Sequence, residues 1–285
     1  MSTPLLVSGE WLEGHLADPS VRIADVRWSL LERDKGRNAY LQAHVPGAVF
    51  VDVDTDLASP RGQGPGRHPL PRPEAFAESM SRAGIGPDTH VIAYDFGDGS
   101  TAARLWWLLR YFGHDRASLL DGGFATWRAE DRPLDERIPS HPPGRFVPSP
   151  RPGMHVDADD VEQLRGDPPT LILDARAAER YEGRVEPIAP VAGHIPGARS
   201  NPYPGNVRSA EDPRFLAPGE LRAKFAQLGA DRAARVICYC GSGVNACQVV
   251  FALKLAGFDN ALLYEGSSSD WFSVPARAKR TGATP

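Results

Sequence analysis

The chain has 285 residues, of which 41% are hydrophobic and 24% charged, and its formal net charge is −4. These proportions exclude a disordered, collagen-like or low-complexity chain, and the acidic balance argues against a nucleic-acid partner. No run of about 18 apolar residues marks a membrane span, and the first residues lack the basic and apolar regions of a signal peptide.

Taken in order, the elements are written twice. Arg22-Ile-Ala-Asp-Val-Arg27 and Ala43-His-Val-Pro-Gly-Ala48 open the first copy, followed by His90-Val-Ile-Ala-Tyr94, Leu119-Leu-Asp-Gly122 and Trp127. Leu171-Ile-Leu-Asp-Ala-Arg176, Gly193-His-Ile-Pro-Gly-Ala198, Arg235-Val-Ile-Cys-Tyr239, Leu263-Tyr-Glu-Gly266 and Trp271 repeat them in the same order. Between the copies, six prolines fall between Pro139 and Pro152. Proline removes backbone donors and fixes φ, so this stretch is expected to be an extended, stiff linker. The expected domains are residues 1–138 and 154–285, joined by a linker at 139–153. Each is long enough to bury its own core.

Short apolar runs at 171–173, 236–239 and 261–263 predict buried strands. Phe225 and Leu228, after Pro218, predict a helix face. Val249, Val250, Leu253, Leu255 and Ala256, after the loop at 241–245, predict another. The alternation predicts an α/β fold: two tandem domains, each a mostly parallel sheet flanked by helices. Ligands of such sheets bind where a strand's carboxyl end enters a helix. That rule points to residues 240–246 in the second copy and 95–101 in the first.

The duplication supplies an internal control, because features present in both copies read as scaffold. His44 and His194 are expected to stabilise turns, and Asp25–Arg27 and Asp174–Arg176 to form structural pairs. The asymmetries carry the functional signal. After the matched strand the second copy has Cys240-Gly-Ser-Gly-Val-Asn-Ala-Cys247, where the first has Asp95-Phe-Gly-Asp-Gly-Ser-Thr101. A thiol at a strand end, before a glycine loop that opens a helix, is placed to be reactive. Loop N–H groups and the helix N-terminus favour its thiolate, and Gly241 and Gly243 let the backbone curl around it. Asp95 cannot act as a sulfur nucleophile, so the first copy is expected to be catalytically silent. Cys238 and Cys247 read as packing thiols. Three cysteines this close build no disulfide framework, which suits the reducing cytoplasm. They also lack the further ligands a metal site needs, so no metal or cofactor is expected.

These blocks together resemble the two-domain rhodanese superfamily over nearly the whole chain. The resemblance includes Trp106-Trp-Leu-Leu-Arg-Tyr-Phe-Gly-His114, Asp121-Gly-Gly-Phe124, and Arg180-Tyr181 after the Asp174 block. The loop Cys240-Gly-Ser-Gly-Val244 is similar to that of 3-mercaptopyruvate sulfurtransferases; thiosulfate-preferring rhodaneses usually carry basic residues there. The resemblance implies sulfane-sulfur transfer through a Cys240 persulfide held by the loop, including Gly241, Gly243, Val244 and Asn245, with a thiol, thioredoxin or cyanide as acceptor. It implies a proton relay of Ser242, His68 and Asp54. It also gives Arg180, which replaces Leu31 of the first copy, the donor anion to bind. Many relatives have a second arginine where Ala189 stands; Arg184 is the candidate substitute. Asn245 replaces the usual threonine, and Ser268 and Asp270 the usual tryptophan and glutamate.

The leading expectation is therefore a 3-mercaptopyruvate sulfurtransferase. The alternatives are a thiosulfate sulfurtransferase and a non-catalytic persulfide carrier. A cysteine phosphatase would need arginine six residues after Cys240, where Ala246 stands.

Overall fold

The structure, a computed structural model, describes residues 3–285. It divides into two compact units. The first comprises the chain up to Ser59, Pro71–Arg151 and Val207–Phe215; the second comprises Pro60–Leu70, Pro152–Asn206 and Leu216–Pro285.

The first unit contains β1 (Leu6–Val7), β2 (Val21–Asp25), β3 (Val49–Phe50), β4 (His90–Tyr94) and β5 (Ala117–Leu120), with α1 (Gly9–Glu13), α2 (Lys35–Gln42), α3 (Pro73–Arg82), α4 (Ala102–Tyr111) and α5 (Gly123–Ala129). The second contains β6 (His155–Val156), β7 (Thr170–Asp174), β8 (Ala198–Ser200), β9 (Arg235–Tyr239) and β10 (Ala261–Tyr264), with α6 (Ala158–Leu164), α7 (Ala178–Tyr181), α8 (Pro218–Gln227), α9 (Ala246–Leu255) and α10 (Ser267–Trp271). Both sheets are wholly parallel. Their strand orders, β1-β5-β4-β2-β3 and β6-β10-β9-β7-β8, are the same arrangement. Each unit is thus one α/β copy of the repeat. No described helix is long and apolar enough to cross a membrane.

The central strands β4 and β9 are buried beyond their first residue, as continuous apolar runs in parallel sheets should be. In α9 every residue from Ala246 to Leu253 is buried. The helix therefore has no polar face, and its apolar positions show no clean period. The features shared by both copies are scaffold. Arg27 pairs with Asp25 and caps the Ala43 carbonyl at 2.7 Å; Arg176 pairs with Asp174 and caps that of Gly193 at 2.7 Å. His44 and His194 stack on Tyr40 and Tyr181, and each Nδ1–H donates to that tyrosine's carbonyl.

The proline-rich stretch is irregular and extended, but it is not a free spacer. N–H groups of Gly144, Ser149 and Arg151 donate to carbonyls of Ser81, Phe112 and Tyr111 at 2.8 Å, and Phe146 is buried against Phe76. The residues between the prolines keep their donors and bind the strap to the first unit. The division also differs from a consecutive split near residues 139–153, since Pro60–Leu70 and Val207–Phe215 each belong to the opposite unit. Neither segment lies in the repeated blocks, so the repeat gave no sign of it.

Candidate active site

Cys240 directly follows β9, at the carboxyl edge of the second sheet, and the loop at 241–245 leads into α9. Cys240 is 4% exposed. Its N–H donates to Ser267 Oγ (3.1 Å), and its carbonyl accepts the Ser268 N–H (3.1 Å). Gly243 has φ +77°, and a Cβ there would lie 2.3 Å from the Glu265 carbonyl oxygen, so only glycine fits. Val244 is buried, and its carbonyl accepts the Cys247 N–H. Asn245 caps α9 through its backbone and makes no side-chain cap bond. Among the described residues, the N–H groups of Gly241, Ser242, Val244 and Asn245 donate to no acceptor.

The first unit shows what the same position does with a built-in anion. Asp95 Oδ1 accepts N–H bonds from Gly97 (2.9 Å) and Gly99 (3.1 Å), and Oδ2 accepts them from Thr101 (2.9 Å) and Ala102 (3.1 Å). Burial, with Asp98 nearby, raises the Asp95 pKa to about 6. Its own carboxylate fills this loop.

The structure brings Ser242 and His68 together: Oγ and Nδ1 are 2.7 Å apart, both side chains buried. His68 reaches the site on Pro60–Leu70, which is part of the second unit. Asp54 lies in the first unit, where its Oδ2 accepts the Trp28 indole N–H at 2.8 Å. Cys238 is fully buried within β9, and burial pushes its thiol pKa up. Cys247 donates its S–H to the Gly243 carbonyl at 3.3 Å, which ties the helix to the loop.

Two guanidinium groups border Gly241. Arg180, on α7, forms a fork with Glu186: Nη2 to Oε1 at 2.7 Å and Nε to Oε2 at 3.2 Å. Glu186, with its side chain 4% exposed, also accepts N–H bonds from Ile188 and Ala189 and lies 3.4 Å from Arg176 Nη1. Burial opposes its charge, but Arg180 and these N–H groups hold it below the usual carboxylate range. Arg67 is the second group. A Cβ on Gly241 would stand 2.8 Å from Arg67 Nη2 and about 4 Å from the Arg180 guanidinium. Arg67 makes no ion pair among the described residues, and its Nε is buried without a partner. Burial lowers its pKa, Cys240 opposes that, and Arg180 reinforces it. Arg184 is 60% exposed and pairs with Glu182. Sequence reasoning overlooked Arg67, although it directly precedes His68. The missing cation at Ala189 was the signal that could have led to it.

Residues 8–130 and 157–273 each match the rhodanese-like domain family, so the chain belongs to that family as a two-domain member. A Pseudomonas aeruginosa protein named "Probable 3-mercaptopyruvate sulfurtransferase" is 42% identical over 285 residues, covering 99% of this chain and 100% of its own. A Mycobacterium tuberculosis relative, provisionally named a thiosulfate sulfurtransferase, is 40% identical over 96% of this chain and 95% of its own. The crystal structure of SseA from Escherichia coli, described as a 3-mercaptopyruvate sulfotransferase, superposes with a TM-score of 0.82 at 36% identity, covering 94% of this chain and 100% of that one.

Proposed function

We propose that this rhodanese-family protein is an enzyme that moves sulfane sulfur from 3-mercaptopyruvate to a thiol or cyanide through a persulfide on Cys240. The observation that carries the reading is the loop itself: backbone donors without an internal acceptor curl past one thiol, with Arg67 and Arg180 alongside. The Cys240 thiolate attacks the donor sulfur. The C–S bond breaks, its electron pair goes to carbon as the pyruvate enolate, and the donor's thiol proton is returned to that carbon. The product sulfur remains as Cys240–S–S⁻, which the loop N–H groups stabilise. Attack of an acceptor thiolate or cyanide on the outer sulfur breaks the S–S bond and restores Cys240. Ser242 and His68, hydrogen-bonded within the second unit, handle the proton.

Charge supports the keto-acid donor. Arg180 is shared with Glu186, and Arg67 has no carboxylate partner, so the pair offers about one uncompensated positive charge. That suits a single carboxylate better than the dianion thiosulfate. Arg184, exposed and already paired, has no part. The thiosulfate alternative keeps one observation in its favour: two adjacent guanidinium groups can hold two oxygens of a sulfonate. Among the described residues Cys238, Cys240 and Cys247 form no disulfide, which supports a reducing compartment, the cytoplasm, and a thiol such as thioredoxin as acceptor.

The test is kcat/KM for 3-mercaptopyruvate and thiosulfate side by side, with cyanide as acceptor and Cys240→Ser as blank. A large preference for mercaptopyruvate supports the reading. A preference for thiosulfate moves the donor assignment, and absence of Cys240-dependent turnover with either leaves the carrier alternative.

A further inference from the structure

We infer that the hydroxyls of Ser267 and Ser269 are positioning residues for this chemistry, one acting through Cys240 and the other through Arg67; the Arg67 part rests on the sulfur-transfer reading above. Neither serine is assigned a contact with the donor.

The first observation is strain. Ser267 has φ +54°, a left-handed conformation that costs a non-glycine residue energy and needs a reason. The equivalent residue of the first unit is Gly123, with φ +53°. The backbone there is thus common to both copies, and glycine would satisfy it without strain. What serine adds is Oγ. Buried completely, it accepts the Cys240 N–H (3.1 Å) and donates to the Tyr264 carbonyl (2.9 Å). It therefore fixes the peptide from which the nucleophile projects.

The second observation concerns the neighbouring cation. Ser269 Oγ accepts the Arg67 N–H (3.0 Å) and donates to the Gly266 carbonyl (3.2 Å). Gly66 lets the loop approach this closely: its φ is +71°, and a Cβ would lie 2.8 Å from Ser269 Oγ. The first unit has Ala125 at the matching position.

The duplication separates these hydroxyls from scaffold. Ser268 N–H to the Cys240 carbonyl (3.1 Å) and Ser269 N–H to the Gly241 carbonyl (3.0 Å) recur in the silent copy as Phe124 to Asp95 (2.9 Å) and Ala125 to Phe96 (3.0 Å). The backbone grip is shared, whereas the two hydroxyls belong to the thiol-bearing copy alone.

The experiment uses the full chain with Ser267→Gly, Ser269→Ala and Ser269→Thr. Ser267→Gly removes the hydroxyl while relieving the backbone, so its melting temperature should stay close to wild type. We expect its kcat with 3-mercaptopyruvate to fall about tenfold and the rate of Cys240 alkylation by iodoacetamide, followed across pH, to fall with it. Ser269→Ala should raise KM about fivefold with kcat kept, and Ser269→Thr should restore it. An unchanged alkylation profile and kcat in Ser267→Gly, or an unchanged KM in Ser269→Ala, overturns the corresponding half. Should Ser267→Gly lose its cooperative melt, Ser267→Ala, which keeps Cβ, takes its place in the same assays. Alkylation needs no donor. A wild type inactive toward mercaptopyruvate would therefore defeat the donor reading and leave the Ser267 arm to be decided by its own profile.

Discussion

Arg67→Met separates function from stability at the site. The side chain is half-buried, its Nε has no partner, and it forms no ion pair among the described residues. A charge-assisted bond to the donor carboxylate is worth about 1.5–3 kcal/mol, so its loss should lower kcat/KM for 3-mercaptopyruvate by roughly 10- to 150-fold. Methionine keeps an apolar stem in the same space and removes a cation that burial already disfavours. The melting temperature should therefore hold, or rise by about 2 °C for a gain near 1 kcal/mol. Arg180→Met should fall in activity to a similar degree, yet behave differently on melting. It strips Glu186, 4% exposed, of its bidentate partner and leaves it Arg176 at 3.4 Å and two N–H groups. That should cost about 1–3 kcal/mol. The assay is steady-state turnover at saturating cyanide, paired with calorimetry on both variants. If Arg67→Met kept kcat/KM within about twofold of wild type, or melted as early as Arg180→Met, the arginine would be structural and the charge argument for the donor would fail.

The other expectations are shorter. Treatment with donor should add about 32 Da to Cys240 alone, read by peptide mass spectrometry, because only that thiol ends a strand before the loop; label on Cys247 would contradict it. Gly243→Ala forces a Cβ to 2.3 Å from the Glu265 carbonyl oxygen at φ +77°. It should destabilise the chain by about 2 kcal/mol or more and remove most turnover; near-native melting and kcat would count against the loop geometry. His155, on β6, hydrogen-bonds Glu265, and this bond raises its pKa from the ordinary value. The pair's contribution is therefore complete below the unfolded histidine value of about 6.5 and is lost as pH rises through the higher folded one. His155→Gln should flatten the melting temperature between about pH 6 and 8.5, and an unaltered slope would show that the pair contributes nothing.

The fold was legible because duplication doubled each weak signal. A run such as Val236–Tyr239 alone could be a strand or part of a buried helix; paired with His90–Tyr94, each before a glycine loop, it reads as a central parallel strand. Cys240 was legible for the same reason, since Asp95 marks the position where the copies diverge. What stayed hidden depends on chain segments distant in sequence. Pro60–Leu70 joins the second unit through contacts such as Arg67 with Ser269, 202 residues apart, and no local pattern encodes that. His68 is marked by the family resemblance, whereas no motif marks Arg67. The role of Glu186 was equally invisible. A carboxylate six residues after Arg180 looks like a surface partner until its burial and its two backbone donors are seen.

The comparison between copies also shows why a thiol alone does not make this site. The first unit has the strand, the glycine loop and the helix, and its loop N–H groups bind an anion well enough to hold a buried carboxylate through four bonds. Anion binding by the loop is therefore a property of the scaffold. Three further things distinguish the second unit. The anion there is not supplied by the loop's own side chain, so the donors can serve a sulfur that comes and goes. Arg180, held by Glu186, stands where the first unit has Leu31, 83% exposed. Serine hydroxyls grip the peptide of Cys240 and that of Arg67, where the first unit has Gly123 and Ala125. Each supplies what the scaffold lacks: turnover, charge recognition and fixed geometry. Replacing Asp95 by cysteine would supply none of the last two, so the silent copy is separated from the thiol-bearing one by several coupled changes.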